Sequence, residues 1–400
     1  MNGSKWTMGL AAYALVLAAC GPGADVDAAG GQYLIYNYDP ATGEYGLERA
    51  RIDTLRDVRT VDGDVVYLLG GGELISTDTT PTTPEEWEDA LVVERAGRPT
   101  VEFTVDSDGT VLPWDFDSAM MLTVYHHMER SSEYFDSVDV SGLGLGETQI
   151  SKLVGRVPVY YYPQISLFGF PLPLFTDNAA YAFTMNAFLV PPRVALTDAV
   201  PIYANRGVIT HEYAHAVFNR LVYDNARVPA PILDADEWPA LAANELSGLD
   251  EGVADMFAFL DVKDPNFIAP SSKAILGRDM SERKRYPQIL LELAQWEPGD
   301  DPITDEDGNE LVYGPHDLGA VCAAVFYEMR ELVKDEVSDD ELGRILAAAL
   351  VSIRNPTPDF RVTQFFDALH DNLPASKRAE VCSMFKERLE AVEDLLTCSP

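Results

Sequence analysis

Apolar and polar positions follow one rhythm up to about residue 112 and another beyond it. In residues 32–112 they alternate in short runs. "QYLIYNY", "DVVYLLGGGELIS" and "PTVEFTVDSDGTVLPW" are rich in β-branched and aromatic residues, and Asp108-Gly109 supplies a hairpin turn. "TDTTPTTPEEWEDAL" predicts a loop leading into a short helix. In "DFDSAMMLTVYHHMERSSEYFDSV" the spacing becomes helical, with Met121, Tyr125, Met128, Ser132 and Phe135 on one stripe and Asp115 or Asp117 as cap. Residues 156–200 are again apolar, aromatic and proline-rich. "VPVYYYP" and "NAAYAFTMNAFLV" predict strands, and "QISLFGFPLPLF" an irregular flap or covered loop. Helices dominate from Val208 onward. Leu318, Val321, Cys322, Val325, Met329 and Val333 share a face, and Ser338 with Glu341 forms a capping box before "LGRILAAALVSIR". Strands first and helices after predict an α+β protein: a small β-rich region at 32–112, then a domain over 113–400.

Composition narrows the class of partner. With 29 basic against 65 acidic residues the net charge is −36, which repels nucleic acid and anionic lipid headgroups. The first residues hold Lys5 and the short apolar run "MGLAAYALVLAAC", too short to span a bilayer comfortably, and read as a signal peptide over 1–19. Its end, Leu17-Ala18-Ala19-Cys20, resembles the lipobox of bacterial lipoproteins. That resemblance implies lipid on Cys20, followed by a flexible tether through residue 31. Gly21, where an aspartate would signal retention in the inner membrane, points to the outer membrane; the alternative is an ordinary secretory signal. An oxidising compartment permits one disulfide. Cys382–Cys398 is the expected pair, both near the C-terminus in polar surroundings, with Cys322 a buried free thiol on an apolar face.

The candidate chemistry begins in "GVITHEYAHAVFNRL", on the helix expected over 206–222. His211 and His215 are one turn apart on one face and present two imidazoles to a single ion. Zinc favours such neutral nitrogen ligands, and Glu212 stands close enough to take a proton from an activated water. The competing reading is an amphipathic helix whose two histidines have ordinary partners. "NELSGLDEGVADMFAFL" opens a helical region over 244–398 and carries Asp250, Glu251 and Asp255 among apolar residues, where unpartnered carboxylates are costly. Glu251 as third ligand, with Asp250 and Asp255 accepting from the histidines, gives each a partner. The adjacent His126 and His127 point about 100° apart on a helix and cannot share a metal, so they are expected at the surface or in packing.

These motifs resemble the thermolysin and fungalysin metallopeptidases, gluzincins with HExxH and a downstream glutamate, over residues 115–370. The resemblance implies a two-lobed catalytic domain, a mixed-sheet lobe beside a mainly helical one. It also implies a zinc endopeptidase acting on proteins or peptides; with the lipobox, the expectation is a monomer held at the cell envelope or secreted. "HEYAHAVFNRL" and "NELSGLDEGVAD" match the two metal helices. "DNAAYAF" matches the Asn-Ala edge strand, assigning Asn178 and Ala179 to substrate backbone. "GRDMSE" makes Arg278 the carbonyl-binding arginine, and "GPHDLGAVCAAVFYEM" makes His316 the oxyanion donor, neutral at its helix start. The chain departs from thermolysin in three ways. The stretch between His215 and Glu251, "DNARVPAPILDADEWPALAA" within it, is longer. The oxyanion tyrosine has only Tyr223 as a substitute. Gly207 stands where thermolysin has a calcium-binding aspartate, so a double calcium site is not expected, and acidic "DDPITDEDGNE" reads as a solvated loop. A non-catalytic binding or adhesion lipoprotein on the same fold is the other class, against which the retained Glu212 argues.

Overall fold

The computed structural model describes residues 30–70, 97–161, 179–183, 186–190, 200–224, 238–271, 278–297, 299–305 and 308–399, together with the backbone of four more strands. The signal segment with Cys20, the short helix expected near residue 85, Asn178 and most of the inserted loop lie outside the described residues. The N-terminal part is strand-rich and the C-terminal part helical, as the pattern predicts.

The strands are β1 (Gly31–Asp39), β2 (Glu44–Ile52), β3 (Leu55–Asp57), β4 (Asp62–Gly63), β5 (Val66–Gly70), β6 (Glu73–Ser76), β7 (Leu91–Glu94), β8 (Phe103–Val105), β9 (Val111–Pro113), β10 (Val157–Tyr161), β11 (Gln164–Leu167), β12 (Phe170–Leu172), β13 (Ala180–Ala182) and β14 (Ala187–Val190). They form three sheets ordered β2-β1-β9-β8, β13-β14-β10-β5-β4-β3 and β12-β11-β6-β7. The second sheet crosses the boundary drawn at residue 112, because β5 pairs in parallel with β10. Its outer strand β13 runs antiparallel to β14.

The helices are α1 (Phe116–Ser137), α2 (Ile150–Val154), α3 (Arg206–Phe218), α4 (Ala240–Val262), α5 (Gln288–Gln295), α6 (Pro315–Val333), α7 (Asp339–Ser352), α8 (Val362–Asn372) and α9 (Ala375–Arg388). Asp115 caps α1 by accepting from the Ser118 amide at 2.7 Å, and the expected stripe from Met121 to Phe135 is buried. His126 and His127 are packing residues, not surface ones, with 8% and 1% exposure. On α1, Glu129 is fully buried and accepts from the Asp53 and Thr54 amides at 2.9 and 2.6 Å, which locks the N-terminal strands to the helix. The Ser338 cap accepts from the Glu341 amide at 3.2 Å. Cys382 and Cys398 form the expected disulfide, and Cys322 is free and buried.

At the centre α4 packs between α3 and α6. The approach to α6 depends on small residues. A Cβ added at Gly252 would stand 2.5 Å from Cys322 Cβ, and one at Gly319 would stand 2.4 Å from Glu251 Cβ. Gly207 is likewise closed to a side chain, since a Cβ there would meet the Phe267 ring at 2.7 Å. Phe267 therefore fills the space that a carboxylate at this position would need.

Candidate metal centre

Helix α3 is buried along almost its whole length and leads into a π-helical turn, Asn219–Tyr223. Its start is fixed by Asn205, whose side chain accepts from the Gly207 amide at 3.1 Å and donates to the Phe267 carbonyl at 2.7 Å and Ser271 Oγ at 2.8 Å. Lower down, Thr210 donates to Asp261 at 2.7 Å and meets Ser131 Oγ at 2.8 Å, and Arg206 pairs with the same aspartate. These contacts fix the rotation of the helix about its axis and aim His211 and His215 at α4.

The two imidazoles lie edge to face, with their Nε2 atoms 3.1 Å apart. Glu251 Oε2 is 3.5 Å from His211 Nε2, and Oε1 is 3.8 Å from His215 Nε2. These three residues are the group among the described residues whose donor atoms converge, all within 4.8 Å of one another. Behind them, His215 Nδ1 bonds Asp250 Oδ1 at 2.9 Å and His211 Nδ1 lies 3.0 Å from Asp255 Oδ1. With His215 Nδ1 bonded to one carboxylate and His211 Nδ1 close to another, both Nε2 atoms are turned to the same point. Two lone pairs so close repel unless a cation stands between them. A tetrahedral ion bonded at about 2.0–2.1 Å would hold two nitrogens ~3.3 Å apart, near the spacing found.

The electrostatics make the same demand. Burial alone would lower His215, but the Asp250 carboxylate, with Glu251 and Glu212, outweighs it and raises its pKa to about 10. Burial opposes ionisation of Glu251 as well, yet the two histidines and Arg278 hold its pKa well below the usual range. The cluster therefore stabilises positive charge at its centre, whether a proton or a metal ion.

Glu212 belongs to none of these pairs. It is 4% exposed, burial raises its pKa, and the nearby histidines and the Tyr181 backbone on β13 offset that only in part. Arg278 is 8% exposed and clamps Asp255 with Nε at 3.1 Å and Nη2 at 2.6 Å, while Nη2 also reaches Glu251 at 3.2 Å. His316 opens α6 behind Pro315, its Nε2 3.3 Å from Glu251 Oε1 and its side chain 47% exposed. Burial lowers its pKa, and Arg278 and His211 lower it further against the pull of Glu251.

A cleft of about 200 Å³ joins these groups. His211, Glu212, His215, Glu251, Arg278 and His316 line it, as do Asp250, Ala179 and Tyr223. Asp255 lies behind that wall. Sequence reasoning did not assign Ile202, Val208, Ile268 and Ser271 to the cleft, which they line together with Ala179. Only Val208 carried a signal, being one turn before His211 on the same face; the others come from separate segments. It also missed Tyr181, whose hydroxyl donates to Asn186 at 2.6 Å and fixes the strand bordering Glu212.

No protein-family model matches this sequence, and no curated protein matches it significantly.

Proposed function

We propose that the chain is a zinc-dependent endopeptidase of the thermolysin–fungalysin kind. Its sheet-bearing and helical lobes meet at the cleft, and Cys20 holds it at the cell envelope. His211, His215 and Glu251 would hold the ion, and three protein ligands with an open position suit catalytic zinc. The observation that carries the reading is Glu212: a buried carboxyl beside the ligand cluster, lining the cleft and close enough to feel both histidines, yet paired with neither. A purely structural ion needs no such group.

Zinc, when bound, supplies Lewis acidity that polarises a carbonyl and acidifies water. The chain's own residues do the rest. Glu212 accepts the proton of the attacking water on its carboxylate, and burial, by raising its basicity, suits it to that task. The same carboxyl then returns the proton to the departing amine. Neutral His316 donates to the oxygen on which charge develops, and Arg278, preset by Asp255, adds positive charge beside it. The substrate backbone lies along outer strand β13, near Ala179 and the neighbouring Asn178, and Tyr223 flanks the oxyanion side. The apolar wall of Ile202, Val208 and Ile268 receives an apolar side chain next to the bond cleaved. A peptide-library digest tests the reading: cleavage stops on chelation and returns with zinc. Cleavage that survives metal removal would contradict it.

A further inference from the structure

The cleft has two unlike ends with the converging ligands between them, and their order follows α3. Val208, His211 and His215 line the cleft from successive turns of that helix, so Val208 stands ~10 Å along the axis from His215. The start of α3 is tied to the 267–271 segment, where Asn205 donates to the Phe267 carbonyl at 2.7 Å and to Ser271 Oγ at 2.8 Å. Ala179, Ile202, Val208 and Ile268 belong to one packed cluster there, so this end is aliphatic. The other end is aromatic. The Phe183 ring meets the His215 imidazole edge on, with centroids 6.4 Å apart, and lies 5.3 Å from the ring of Tyr181. Tyr181 is reached in turn by Asn219 Nδ2 at 3.4 Å, one turn beyond His215. Tyr181 and Tyr223 also line the cleft but are buried. Phe183 is only partly covered, and it packs on the main core and not on the aliphatic cluster.

We propose that Phe183 determines which side chain is accepted immediately before the scissile bond, and that it selects an aromatic one. The proposal rests on the peptidase reading. Phe183 lies against His215, one of the three converging ligands, which places the pocket it walls next to the reacting carbonyl and not farther along the substrate. An aromatic side chain there stacks on, or sets its edge against, the uncovered part of the ring, a geometry that aliphatic chains do not share. Strand β13 gives the direction. It is the outer strand of its sheet among the described residues, and the cleft-lining stretch that contains it runs from Ala179, at the aliphatic end, to Phe183. A backbone that extends the sheet antiparallel, as β13 itself pairs with β14, runs the opposite way. Its N-terminal side then meets Phe183, and its C-terminal side meets Val208 and Ile268.

The test uses the full chain loaded with zinc and two series of short unstructured peptides built on one Phe-Leu pair. In the first series the Phe is replaced by Leu or Ala, and in the second the Leu is replaced by Phe or Ala. Mass spectrometry locates the cut, and kcat/KM is measured for cleavage between the two varied positions. Phe exceeds Ala about tenfold in the first series, and Phe183→Ala removes that ratio. The same variant keeps its zinc and its ranking in the second series, while Phe183→Tyr restores the ratio. A Phe183→Ala chain slowed equally on every peptide, or one whose ranking changes in the second series instead, overturns the proposal. Binding separates it from the peptidase reading. The Phe-Leu and Ala-Leu peptides are titrated into zinc-loaded Glu212→Gln, with and without Phe183→Ala. If the wild-type chain cleaves neither series but Phe183→Ala erases a binding preference for the Phe-Leu peptide, the peptidase reading falls and the aromatic pocket stands. Equal binding of the two peptides to Glu212→Gln overturns the pocket.

Discussion

The decisive residues act through what they are paired with. Asp250 bonds His215 Nδ1 and so would fix which nitrogen faces a bound ion. Asp250→Asn should weaken metal binding about 10–100-fold in competition with a chromophoric chelator, with little change in the fold. Unchanged affinity would mean that the carboxylate does not orient the ring. A second residue-scale expectation concerns His126, outside the His211, His215 and Glu251 cluster. Burial first, then Arg130 and Arg206, push its pKa down to about 4, so the folded protein needs it neutral. Its folded pKa lies below its unfolded value near 6.5, so stability is intact above that pH and is lost as pH falls toward 4. At pH 5 the loss from this residue is about 2 kcal/mol. Urea unfolding at pH 7.5 and pH 5 should show a drop smaller by that amount in His126→Gln; an equal drop in both would remove His126 from the account.

At the scale of elements, the site depends on three helices held unusually close. His316 reaches Glu251 only because Gly319 lets α6 rest against the Glu251 side chain. Gly319→Ala should therefore push α6 away from α4, costing about 1–3 kcal/mol of stability. It should also lower kcat for peptide cleavage by more than that loss of folded protein explains. A variant with reduced melting temperature but unaltered kcat would deny the glycine its positioning role. These helices also show what was legible beforehand. The i, i+4 histidines and the carboxylates of an otherwise apolar helix point to the ligands from sequence alone, because few other arrangements satisfy buried charge. The small-residue contact between α4 and α6 was not legible, since a glycine in a helix has no signature that names its partner. The apolar wall was hidden for a related reason: Ile202 and Ile268 are ordinary hydrophobic residues until the fold brings them together.

On the scale of the whole molecule, the alternating strands and the later helices were visible as periodicity, but the division between them was misleading. Sequence pattern separates residues 32–112, yet β5 enters the sheet that carries β13 and the cleft wall, a long-range pairing that no local rhythm encodes. The fully buried Glu129 joins α1 to the same region. Heating should therefore give one calorimetric transition in which both parts unfold together; two separated transitions would show an independent N-terminal domain. The central claim is that the cluster holds zinc and that Glu212 alone supplies the base. Its most direct test measures bound metal and peptide cleavage together, for the wild-type chain and Glu212→Gln. Equal zinc in both, with cleavage reduced about 10²–10⁴-fold in the variant, is the predicted result. Zinc in both with no cleavage of a broad library by the wild-type chain, or equal cleavage by the two, would contradict it.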